Sequence, residues 1–128
     1  MANLSRLEAE YGDPLAAFNA FALAIRKYHD AGSIALVHHP LGLLAAFLDR
    51  LGRHEPAATI AGFAEVNGLA AMAFPETMAS IAHLRDVLGD TAYESLARRG
   101  ERMTIAAMVT YAYDQIDQAR AELNAVSK

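Results

Sequence analysis

Residues 104–123 read TIAAMVTYAYDQIDQARAEL, and this stretch decides the fold class. Ile105, Met108, Val109, Ala112, Ile116, Ala119 and Leu123 recur three and four positions apart, which puts them on one face of an α-helix, while Asp114, Asp117 and Gln118 fall on the other. Thr104, a capping residue type, stands directly before the stripe. Nowhere in the chain is there an alternating β-branched run closed by hairpin turns.

The same spacing recurs upstream. Asp13-Pro14, an acid followed by proline at a first helical position, opens a helix to Gly32 with Leu15, Phe18, Ala22 and Ile25 on its stripe, widened by Phe21 and Tyr28. Ser33 can cap a second helix to Leu51, whose apolar residues cover two faces and predict a central, buried element. Pro40 either kinks that helix by freeing the Leu36 carbonyl or breaks it, with the kink favoured. The turn from Gly52 to Pro56 restarts a short helix to about Glu65, with Ala57, Ile60, Ala61 and Ala64 as its packing face. Residues 65–74 lose periodicity around Asn67-Gly68 and read as an apolar loop. Pro75 opens a fourth helix to Leu88, and Asp90 caps a fifth that ends before Gly100. The expectation is a single all-α domain over residues 1–128, about six helices in antiparallel hairpins.

Composition narrows the function classes. The chain has no cysteine, hence no disulfide and no thiolate metal site, which suits a reducing, cytoplasmic setting. Arg6, Glu8 and Glu10 interrupt the leucines of the N-terminal stretch, so no secretory signal is expected. No apolar run approaches the roughly 20 residues that span a bilayer, so no membrane helix is expected either. A formal net charge of −4 has the wrong sign for holding nucleic acid through phosphates. Arg98, Arg99 and Arg102 form a basic cluster, but the helix after them offers Asp114 and Asp117 where a recognition helix needs cations. The arginines read as favourable charges at a helix C-terminus.

The motifs of chemistry are missing or incomplete. His54-Glu55 begins like the zinc-protease helix, but the second histidine would stand at position 58, which is Ala58. The pair therefore reads as a helix start. His38 and His39 are adjacent, point about 100° apart on a helix and do not chelate one metal easily, and His29 or His83 would join them only by coincidence of folding. The glycines are scattered, with no phosphate-cradling loop, and no serine sits in a nucleophile elbow. No catalytic residue, metal ligand or cofactor is assigned. Tyr111 and Tyr113 beside the last stripe, together with Leu69, Met72 and Phe74 of the apolar loop, are the residues expected to meet a partner, against a core-edge reading for the tyrosines.

Three phrases carry a resemblance: LDRLGRHEPAATIAGFAE at 48–65, LRDVLG at 84–89, and RGERMT at 99–104 before an alanine-rich helix. In this order they resemble the tetratricopeptide-like helical segment near the C-terminal end of bacterial STAND-type ATPase regulators, both LuxR-type activators and actinobacterial proteins that join such an ATPase to an adenylate cyclase domain. The resemblance spans nearly the whole chain. It implies a degenerate helical-repeat surface for interaction or regulation, with the chain itself or an ATPase-containing regulator as partner. The ATPase, cyclase and DNA-binding activities are not carried over, since this sequence lacks their domains.

Together these readings give a noncatalytic helical interaction module that self-associates through an open repeat end. The alternative is a small-molecule or acyl-chain binding module with a pocket between Phe18, Phe21, Leu44 and Phe47, lidded by the loop at Met72 and Phe74. A histidine–carboxylate enzyme site assembled from distant positions is the third class.

Overall fold

The computed structural model describes residues 14–32, 34–65 and 75–127. Among them are six helices and no strand: α1 (Pro14–Asp30), α2 (Ile34–Arg50), α3 (His54–Glu65), α4 (Pro75–Leu88), α5 (Asp90–Glu101) and α6 (Ile105–Ser127). The all-α class and the element order follow the periodicities of the sequence. No helix among the described residues is long and apolar enough to cross a membrane.

Two helices form the interior. In α2 every residue from Pro40 to Asp49 is buried, the pattern of a helix surrounded by protein. The helix runs through Pro40 without a break. In α3 every residue from Ala57 to Ala64 is buried, so this helix packs on all sides and not on the single face that its alanines indicate. Side chains that short make little contact unless backbones come close, and they do. Of all helix pairs, α3 and α5 share the most extensive contact. A methyl group placed on Gly62 would overlap the Ala97 carbonyl, and one placed on Gly100 would overlap the Thr59 carbonyl and lie 3.3 Å from the Phe63 nitrogen. Gly100 is therefore buried inside α5 as the point where it crosses α3, and it does not terminate the helix, which ends at Glu101.

The helix ends explain the turns. Gly89, at φ 88°, precedes α5, and its carbonyl accepts the Tyr93 N–H at 2.9 Å. No side chain caps this end; Asp90, expected as the cap, instead sits in the first turn, where an acid suits the helix dipole. Thr104 does cap α6, its Oγ1 accepting the Ala107 N–H at 3.1 Å. Asp13 and Ser33, the caps expected for α1 and α2, lie outside the described residues.

The outer helices close around this pair. Helix α6 returns to pack on α1 and α3, burying Met108, Val109, Ala112, Ile116 and Ala119 of its stripe, while α5 and α6, though consecutive, share at most a marginal contact. Arg120 reaches Asn19 of α1, and Arg53 before α3 pairs with Glu122. A regular solenoid stacks each repeat on its neighbours alone. Contact between α1 and α6, the first and last of the described helices, departs from that pattern.

Between α1 and α2 lie the residues expected to line an acyl pocket. Phe18, Phe21, Leu44 and Phe47 are buried together, with the Phe47 ring 5.1 Å edge-on from Phe18 and 5.7 Å from Phe21. These rings are core, and the loop residues that would have lidded them lie outside the described residues.

Glycine-to-alanine exchange inside a helix ordinarily stabilises by about 0.5–1 kcal/mol. Gly100→Ala should do the opposite, costing at least about 2 kcal/mol, because backbone atoms of α3 stand where the methyl group goes. Urea unfolding of the two proteins gives the sign directly.

Candidate functional site

Asp49 is the one acidic residue inside the apolar run of α2, and the chain turns immediately after it. Gly52, at φ 84°, ends the helix in a Schellman turn: the Arg53 N–H donates to the Leu48 carbonyl at 2.9 Å and the Gly52 N–H to the Asp49 carbonyl at 3.0 Å. This reversal delivers His54, the first residue of α3, back over the side chain of Asp49. Helix α4 then crosses the turn and supplies Ser80 and His83, three positions apart and on one face.

Three side chains converge on the carboxylate of Asp49. Asp49 is 5% exposed. Its Oδ1 accepts from His54 Nδ1 at 3.0 Å and from His83 Nδ1 at 2.8 Å, and its Oδ2 lies 2.8 Å from the same His83 nitrogen and accepts the Ser80 hydroxyl at 3.2 Å. The two imidazole rings stand 5.8 Å apart at 66°. Burying an unpaired carboxylate is expensive, and among the described residues neither lysine nor arginine pairs with Asp49. The histidines and the serine meet that cost. An ionised carboxylate can only accept, so these contacts call for a proton on Nδ1 of both imidazoles. His54 is mostly covered, whereas the His83 side chain is 52% exposed and opens the cluster to solvent.

The cluster also holds α4 in place. That helix fully buries only Ser80 and Leu84 among its described side chains, with Ile81 and Leu88 half-buried. Its other polar tie is Arg85, which lies 4.5 Å over the Tyr93 ring and 2.8 Å from Glu94.

The residues singled out from the sequence lie elsewhere. Tyr111 and Tyr113 are two positions apart and so about 200° apart around α6. Tyr111 meets Thr59 of α3, whereas Tyr113 borders an open groove with Asn19 and Arg26 of α1. They are core-edge residues on different sides and form no common patch. Burial pushes the pKa of both phenols up and so disfavours their ionisation; at Tyr111 a hydrogen bond with Thr59 and the charge of Arg99 oppose it, at Tyr113 the charge of Arg26 does. Leu69, Met72 and Phe74, and the side chains of His38 and His39, lie outside the described residues. Arg98, Arg99 and Arg102 line an open groove together with Asp90 and Glu94.

Histidines judged dispersed in the sequence are thus partly gathered: His54 does start a helix, as read, but its ring serves Asp49. The available signal was the acid itself, since a lone aspartate in a fully apolar helical run requires a buried partner.

Removing the acceptor should cost more than removing a donor. Asp49→Ala is expected to lower stability by about 3 kcal/mol and His83→Ala, being exposed, by about 1 kcal/mol. Amide hydrogen exchange in α4 should accelerate ahead of that in α2 and α3 in both variants.

Comparison of the chain with protein-family models, with curated proteins and with solved structures gives no match.

Proposed function

We propose that this chain is a noncatalytic helical module that binds protein through the outer face of α4, with a second copy of itself as partner. The observation that carries the reading is the composition of that face. Met78 is 58% exposed and Val87 47%, and they flank an exposed arc that holds Ala82, Asp86, Ala79 and His83. Small residues between two large apolar ones suit a helix that receives an identical helix closely, in the self-complementary manner of a two-fold interface. Among the described side chains, His83 and Asp86 interrupt the arc with polarity, and His83 is tied down to Asp49. The clasp at Asp49 thereby sets where the binding face stands.

The resemblance to the helical segment of STAND-type regulators supports an interaction role and names an ATPase-bearing regulator as a further partner. The cysteine-free composition suits a cytoplasmic setting.

Light scattering coupled to size-exclusion chromatography over a concentration series tests the proposal. The chain should run as a dimer at high concentration, and the Met78→Glu, Val87→Arg double variant should run as a folded monomer. A parent chain that stays monomeric throughout, or a double variant that still dimerises, contradicts it.

A further inference from the structure

We propose that Asp49, His54 and His83 form a binding site for one divalent first-row transition-metal ion, with zinc as the expected occupant. One oxygen or nitrogen from each of the three residues already lies within 4.8 Å of the others. The contacts of Asp49 Oδ1 with His83 and His54 Nδ1, at 2.8 and 3.0 Å, are only slightly shorter than the edge of a tetrahedron around zinc, about 3.3 Å for bonds of roughly 2.0 Å. An ion entering between these atoms therefore needs a small outward shift of the two rings and no rearrangement of the helices.

The chemistry of the donor set agrees. Two imidazoles and a carboxylate suit zinc and its neighbours, and three protein ligands leave a position open. That position falls on the side of His83, the exposed member, which also gives the ion its way in. A neutral imidazole ligates through Nδ1 by carrying its proton on Nε2 instead, so binding needs no net loss of protons. Asp49 gains most: a buried carboxylate now satisfied by hydrogen bonds alone would acquire a cation. Ser80, on Oδ2, keeps the carboxylate oriented while Oδ1 turns to the metal, the part that outer partners of metal ligands play.

The site links three elements, the end of α2, the start of α3 and the middle of α4, so an ion would fasten α4 more firmly than hydrogen bonds do. It does not depend on the self-association proposed above.

The test is calorimetric titration of chelator-treated protein with zinc chloride in a non-coordinating buffer, with cobalt(II) absorption as a report on coordination. One ion per chain is expected, with a rise in Tm that grows with zinc concentration. His83→Ala and His54→Ala should each weaken binding at least 10-fold, and Ser80→Ala by roughly 10-fold. His29→Ala, which changes a histidine of α1, should leave binding within twofold. Because His83 is exposed, its variant should keep the parent circular dichroism, and it decides the matter if His54→Ala fails to fold. Absence of saturable binding, or binding that survives His83→Ala undiminished, overturns the proposal. Repeating the titration on the Met78→Glu, Val87→Arg variant separates the two proposals: zinc binding should persist there even where dimerisation is lost.

Discussion

Everything in this fold is arranged around the crossing of α3 and α5, where two helices approach so closely that neither Gly62 nor Gly100 has room for a methyl group. Close approach lets a helix whose buried run, Ala57 to Ala64, is mostly alanine, glycine and threonine act as a core element, because contact between backbones replaces the bulk its side chains lack. With α3 buried on all sides, α2 can lie against it as the second interior helix and supply the large residues, Leu41, Leu44, Phe47 and Leu48. The remaining helices cover this pair, and the return of α6 onto α1 closes the arrangement into a bundle.

That economy leaves one carboxylate inside, among the described residues. Asp49 ends the buried run of α2, and the Schellman turn at Gly52 both forces it inward and brings His54 to meet it. The pairing of that carboxylate is completed by α4, the helix least anchored by apolar burial. One carboxylate thus does two jobs: it stitches the α2–α3 turn and it ties down the helix that exposes Met78 and Val87. The proposed protein-binding face and the proposed metal site are linked through it, since His83 belongs to both.

The parts of this structure written in local pattern were legible in the sequence. The stripe from Ile105 to Ala119, the Thr104 cap and the two-faced α2 each appear where the periodicity places them. Two features resisted. Glycine signals a helix end or a close approach equally well, so Gly100 read as a terminator although its real constraint is the Thr59 carbonyl of another helix. The alanines of α3 hid its burial in the same way, for alanine is at home on any face. The clasp was hidden for a different reason: Ser80 and His83 lie 31 and 34 positions from Asp49, and only the docking of α4 over the turn joins them. Periodicity reports which face of a helix is buried, not what it is buried against.

The account's central claim is that a buried Asp49 gathers both imidazoles by their Nδ1 atoms. Nitrogen NMR of the histidine side chains in metal-free protein, at a pH where the rings are neutral, measures this directly. His54 and His83 should both be fixed as Nδ1–H tautomers, unlike the Nε2–H form that free neutral imidazole side chains favour, and Asp49→Asn should release them. Finding both rings as mobile Nε2–H tautomers in the parent protein would contradict the clasp.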